Sequence, residues 1–312
     1  MDISNSAAVA ETPAAIPALI ALGETMALVT PRDATRLSDA DEVRLTIGGA
    51  ESNVAAHVAA LGQRTAWVSA LGDDALGHRV HRTVTAQGVD TRWVSFDPHA
   101  PTGVYFKDPG HGVLYYRAGS AASRMSAVSI ADVPLEDAEI VHISGITPAL
   151  SASCAALIDA VVDRVTAAGR GSLSFDANHR AALWEASVAA PVLLDLANRS
   201  DIVFVGLDEA HTLWGCRTPD DVRALVPAAA HLVVKDGDVG ATEFSDAGTV
   251  FVPAIPTEVV EAVGAGDAFA AGWLAAKLAG DASEERLQAG HRRAHLVLQS
   301  TEDVPGSPDD AR

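Results

Sequence analysis

The sequence predicts an α/β protein, a three-layer α/β/α sandwich with a small antiparallel β lid inserted into it. Three observations carry that expectation. Short apolar runs rich in β-branched residues alternate with alanine-rich segments at helical spacing, the pattern of βαβ units around a sheet buried on both faces. Apolar residues make up 48% of the 312 and charged residues 20%, a balance that allows one large buried core. The stretch Arg92–Arg117 departs from the helical pattern and alternates apolar with polar residues between turn-rich breaks.

Taken in order, residues 1–16 lack the basic and apolar regions of a secretory signal and read as a flexible tail. The folded domain is expected over 17–305, with 306–312 as a C-terminal tail. Its first buried strand is expected at Ala18–Leu22; the surrounding PALIALGETMALVTP carries Glu24 and is too short to span a bilayer. Further strands are expected at Thr65–Ala70, Ile140–Ser144, Ser172–Asp176, Ile202–Val205 and Leu232–Lys235. Helices are expected at Ser52–Leu61, Ala75–Gln87, Ala149–Ala168, Ala189–Asn198, Leu207–Leu213 and Pro219–Ala229. Lid strands are expected from about 26–47 and 92–117, including WVSF, TGVYFKD and GVLYYR, where they would cover a ligand at the carboxyl ends of the parallel strands.

The charge balance narrows the partners. With 41 acids against 22 bases the net charge is −19, which argues against a surface built to hold nucleic-acid phosphate backbones and favours solubility. The two cysteines, Cys154 and Cys216, are far apart and lack zinc-like spacing, so a reducing cytoplasm is expected. His291 and His295, four apart on one helical face, have no third partner in the sequence and read as surface or adenine-side residues rather than a metal site.

The chemistry concentrates in VGAGDAFAAGW, Val263–Trp273. Glycines permit close backbone approach, and the apolar run behind them puts the turn at a helix N-terminus. Unpaired N–H groups and the helix dipole there suit an anion such as a phosphoryl group. Asp267 beside that turn can take a proton from a hydroxyl attacking the phosphoryl. An aspartate in the first turn is also a common dipole-offsetting residue, so this motif alone does not decide between a cap and a catalytic site. No Walker-type loop occurs elsewhere.

This motif resembles the C-terminal signature of the ribokinase-like (PfkB) carbohydrate kinases. Upstream, IGGAESNVA from Ile47 resembles their N-terminal signature, and KDGDVGA from Lys235 their nucleotide-loop motif, in the family's order. The resemblance implies ATP-dependent phosphorylation of a sugar hydroxyl with Mg2+ on the phosphates, and leaves room for a monovalent cation. It implies Asp267 as base and Gly264, Ala265 and Gly266 as the anion hole. Gly48, Gly49 and Asn53 would face the sugar, while Asn178, Lys235, Gly237, Gly240, Gly264 and Gly266 would serve ATP. A homodimer paired through the lid is also expected.

Within the family, DANHR from Asp176 followed by Leu183-Trp184, and YYRAGSAAS from Tyr115, resemble the branch acting on 2-keto-3-deoxygluconate. A sugar acid brings a carboxylate that is costly to desolvate without donors, and arginine forks suit it. By that resemblance Tyr105, Tyr115, Arg117 and Asp303 would hold substrate oxygens, and Arg180 would sit between substrate and transferring phosphate. Two positions depart from the family. The usual Asp-Thr before the glycine turn is Glu261-Ala262, and the N-x-x-E motif tied indirectly to magnesium reads Gly206-Leu-Asp-Glu209. These departures leave a catalytically silent sugar- or nucleotide-binding protein as an alternative, beside another family sugar kinase acting on ribose, fructose or a different sugar acid.

Overall fold

Every side chain of the strand Leu19–Leu22 (β1) is buried, and alternation decides where each goes. Ile20 and Leu22 join one apolar cluster and Leu19 and Ala21 another on the opposite face, so β1 is a central strand covered on both sides. The structure, a computed structural model, describes residues 15–33, 35–301 and 303–304. The tail expected at 306–312 lies outside the described residues, as does all but the end of the one at 1–16.

After β1 come Met26–Pro31 (β2), Val43–Gly48 (β3), helix Ala50–Ala60 (α1), Thr65–Gly72 (β4), helix Ala75–Ala86 (α2) and Val94–Asp97 (β5). Val104–Asp108 (β6) and Gly112–Tyr116 (β7) form a hairpin. The alternation resumes with Ile140–Ser144 (β8), Ala152–Ala168 (α3), Ser172–Asp176 (β9), Ala186–Asn198 (α4) and Ile202–Gly206 (β10). Leu207–Trp214 (α5), Pro219–Leu225 (α6) and His231–Asp236 (β11) follow, then the hairpin Gly240–Ser245 (β12) and Gly248–Pro253 (β13), and finally Ala265–Ala279 (α7) and Ser283–Leu298 (α8).

The main sheet has the order β13-β12-β11-β10-β9-β8-β1-β4-β5, parallel except for the β12–β13 hairpin at one edge. Residues of α3, α4, α5 and α6 fill the cluster on one face and those of α1, α2, α7 and α8 the cluster on the other, giving the three layers expected. The chain winds outward in opposite directions from β1 and β8, which makes their junction the place where a ligand site opens at the carboxyl ends.

The lid is a second sheet of order β3-β2-β6-β7, and it corrects the sequence reading twice. WVSF does not join it: β5 pairs parallel with β4 at the edge of the main sheet, because the crossover through α2 returns the chain to that edge. The lid is not purely antiparallel either, since β2 and β6 pair in parallel with Leu28 opposite Tyr105. Both strands leave carboxyl ends of parallel strands, β1 and β5, and so run outward in the same direction.

Candidate active site

The first turn of α7 carries the glycine turn expected to bind an anion. Gly264 has φ +85°, a conformation an L side chain adopts only with strain. That turn aims the amides of Gly266 and Asp267 away from any intrahelical acceptor, while Ala265 N–H donates back to the Ala262 carbonyl at 3.3 Å. Lys235, at the end of β11, sends its ammonium to within 3.6 Å of where a Gly266 Cβ would lie. Burial works against that charge, yet Asp176 and Glu209 outweigh it and raise the Lys235 pKa. The ammonium donates to Asp176 Oδ2 at 3.0 Å.

Asp267 is buried and gripped by two amides. Asn53 Nδ2 of α1 donates to Oδ2 at 3.0 Å and Asn178 Nδ2 to Oδ1 at 3.3 Å. Asn178 has φ 38°, the one positive value of a non-glycine residue among the described residues, a backbone state asparagine tolerates. Burial pushes the Asp267 carboxyl up to about 7, with the Arg180 guanidinium pulling the other way. Two amides hold both oxygens while the proton affinity sits near neutrality, which suits a group that takes and releases a proton.

A cavity of about 820 Å³ opens in front of this carboxylate. Asp267, Arg180, Lys235 and the turn Gly264–Gly266 line one part, and Gly237, Gly240, His291 and His295 another. One ring nitrogen of each histidine has a partner, Val252 O for His291 Nε2 and Thr257 Oγ1 for His295 Nδ1. The lid closes the cavity with the inner faces of β6 and β7: Tyr105, Lys107, Val113 and Tyr115. The two tyrosine rings stack at 5.8 Å and 18°.

Asp303 packs against Gly264 and faces Asn53 Nδ2 at 3.5 Å. Its carboxyl is raised by burial, and Lys107 offsets part of that. The Asp303 carbonyl is held by His57 Nε2 at 2.9 Å, and His57 Nδ1 accepts from Arg293 Nε at 2.8 Å. Gly48 lies beside the Tyr105 hydroxyl and Asp303, and Gly49 caps α1. Of the expected sugar-side residues, Tyr105, Tyr115, Arg180 and Asp267 line the cavity, and Gly48, Gly49, Asn53, Asp303 and Arg117 lie outside its lining.

Arg117 already has a protein partner. It is buried behind Tyr115, stacking its guanidinium 5.7 Å from that ring, and forms an ion pair with Glu24. Glu24 also accepts from Ser120 Oγ at 2.7 Å. Arg117 is not among the residues lining the cavity; Lys107, two residues after Tyr105 and on the same face, is. Sequence reasoning missed Lys107, although the period-two spacing from Tyr105 was a usable signal. His57 was missed as a support of Asp303 because that partner lies far off in sequence.

Glu209 spends both oxygens on backbone, Oε1 on His179 N at 2.7 Å and Oε2 on Gly206 N at 2.9 Å. Nearby Asp176 keeps a buried Oδ1 without a partner. Among the described residues no group of three His, Cys, Asp or Glu side chains is arranged to hold a metal ion by itself, and no helix is long and apolar enough to cross a membrane.

Comparison with known proteins agrees with this geometry. The chain is 32% identical to the 2-dehydro-3-deoxygluconokinase of Bacillus subtilis (strain 168) over 300 residues, 93% of this chain and 92% of that protein. It is also 32% identical to the 2-dehydro-3-deoxygalactonokinase of Haloferax volcanii over 290 residues, 89% and 90% of the two. The crystal structure of a PfkB protein from Polaromonas sp. JS666 superposes with a TM-score of 0.85 at 34% identity, covering 92% of this chain and 97% of that one. The profile of pfkB family carbohydrate kinases matches residues 17–310. A match of that span takes in the lid, the glycine turn and Asp303 alike, and the chain belongs to the pfkB family of carbohydrate kinases.

Proposed function

We propose that the protein is an ATP-dependent kinase for 2-keto-3-deoxygluconate, transferring the γ-phosphoryl group to the terminal hydroxyl. The observation that carries the reading is Asp267: buried, held by two amides and adjacent to the anion turn at the mouth of a lidded cavity. Arg180 lines that cavity, and its guanidinium suits a sugar bearing a carboxylate. The two relatives named for 2-keto-3-deoxy sugar acids point to the same substrate class.

In this reading Tyr105, Tyr115 and Asp303 orient the sugar, with Gly48, Gly49 and Asn53 beneath it and Arg117 behind the tyrosines. Asp267 accepts the hydroxyl proton as the oxygen attacks. The amides of Gly264 and Gly266, and that of Ala265 once it turns from the Ala262 carbonyl, stabilise the charge developing on the phosphoryl oxygens, and Arg180 spans donor and acceptor. Bound ATP with Mg2+ supplies the phosphoryl group and neutralises its charge. The cavity fits that group: Lys235 stands at the turn, and Gly237, Gly240 and the helix α8 histidines enclose its far end. Asn178 reaches this region through Asp267. Glu209, with both oxygens holding backbone, would touch magnesium only through water. A monovalent cation beside the turn is part of the same reading, checked by adding potassium chloride to the assay.

A coupled ADP assay over neutral sugars and both 2-keto-3-deoxy epimers tests the reading. Turnover of the gluconate-derived acid well above neutral sugars is expected; preference for ribose or fructose would overturn it. Asp267→Asn is expected to abolish transfer while ATP binding, read by calorimetry, stays near wild type. Retained turnover in that variant would remove the base.

A homodimer through the lid belongs to the same proposal. Val43, Leu114 and Tyr116 stand exposed on it, Tyr116 at 65%, an apolar outer face that a second copy would cover. Light scattering on the purified protein reads the mass. Two free, buried cysteines fit a cytoplasmic location.

A further inference from the structure

The lid carries two cations, and the structure gives them different surroundings. Arg117 is neutralised by Glu24 outside the cavity lining. Lys107 lies on the inner face of β6, its side chain only 11% exposed, with Nζ 2.9 Å from Glu261 Oε1 and 3.8 Å from Asp303 Oδ1. Glu261 is three residues before Gly264, on the segment that leads into the anion turn. Asp303 packs against Gly264 and Asn53 from the other side. One ammonium therefore touches the lid, the strap before the phosphate turn and the carboxylate beside the sugar position.

We propose that Lys107 is a positioning residue, a latch that holds the lid closed on the phosphate turn and fixes Asp303 toward the sugar. The ion pairs are mostly shielded from water, so removing one partner leaves a poorly solvated charge, and the pairing is worth more than at an open surface. A lid tied in this way excludes water while the phosphoryl group is in transit, because water could otherwise take the place of the sugar hydroxyl and release phosphate. The latch rests on the kinase reading for its catalytic consequence, but its structural half is independent of it.

The test uses full-length protein as Lys107→Met, Lys107→Arg, Glu261→Gln and the Lys107→Met/Glu261→Gln double variant. Amide hydrogen exchange over 104–108 and 112–116 is expected to quicken about tenfold in Lys107→Met with the main sheet unchanged, and to return toward wild type in Lys107→Arg. In the coupled assay the KM for the keto-acid is expected to rise about tenfold, more than kcat falls, with phosphate release in the absence of sugar increased. The double variant is expected to be no worse than Lys107→Met alone, since both changes remove one interaction. Should Lys107→Met fail to fold, Glu261→Gln, whose side chain is 25% exposed, reads the same exchange and KM. Wild-type lid exchange in Lys107→Met or Glu261→Gln, or additive losses in the double variant, would overturn the latch. A wild-type enzyme that phosphorylates no sugar acid sinks the kinase reading instead, and the exchange measurement still decides the latch.

Discussion

Asp267 shows how far single residues set this chemistry. Burial raises its carboxyl to about 7 and Arg180 opposes that rise. A base must be ionised before it takes a proton, so kcat/KM is expected to climb with pH up to about 7 and to fall about tenfold per unit below it. Arg180→Gln removes a charge that favours the carboxylate, so the acidic limb moves to higher pH in addition to any loss of rate. A pH profile of the variant checks this; a limb left where it is in the wild type would mean that Arg180 does not act on Asp267. Asp267 was legible in the sequence because the glycine turn and its acid are contiguous. Lys107 was not, because the carboxylates that give it meaning arrive 154 and 196 residues later.

Elements were legible where burial is two-sided and obscure where it is not. The parallel strands β1, β4, β8, β9, β10 and β11 read as apolar runs, since both of their faces meet helices. The β12–β13 hairpin went unread; β13 has an alternating exposed face, and its short apolar run resembles a loop. Val94–Asp97 misled for the same reason, as an edge strand of the main sheet and a lid strand show the same alternation. Helix α7 was legible from its apolar run, but its closeness to α8 was not. A Cβ on Gly272 would lie 2.5 Å from the Ala289 carbonyl oxygen and 2.8 Å from its carbon, backbone that moves only if the helices part. Gly272→Ala is therefore expected to lose about 1–3 kcal/mol of stability. Because α7 begins at the turn proposed to hold the phosphates, a rise in the KM for ATP should accompany the loss. Urea unfolding and steady-state kinetics measure the two, and wild-type stability would show that the helices are free to separate.

Over the whole molecule, buried titratable groups of opposite kinds are set against one another. His57 and His142 are buried and neutral, burial taking them down to about 3 and about 4. Between about pH 4.5 and 6.5 the unfolded chain protonates these histidines and the folded one does not, so their contribution to stability increases with pH. Glu51 and Asp267 do the reverse. Burial raises each to about 7, so over the same window the folded protein holds protons that the unfolded chain has released, and stability falls as pH rises. His291, lowered by burial, adds to the first side, and Glu209 and Asp303, raised by burial, add to the second. Opposed slopes leave the wild-type stability only weakly dependent on pH across that window. Glu51 is the group to remove, because it touches neither the anion turn nor the lid; its Oε1 accepts from Ser144 at 2.7 Å and Thr147 at 3.2 Å, and Oε2 is buried without a partner. Glu51→Gln deletes one falling contribution, so the variant's stability relative to wild type should climb with pH by up to about 1.4 kcal/mol per unit between about pH 4.5 and 7. Whatever the lost or gained hydrogen bond does to the amide variant is the same at every pH, and the self-repulsion of a chain carrying −19 is nearly shared by both proteins, so the difference in slope isolates the titration. Urea melts of both proteins at half-unit steps measure it, and parallel curves would mean that Glu51 is already ionised in the folded protein at pH 4.5.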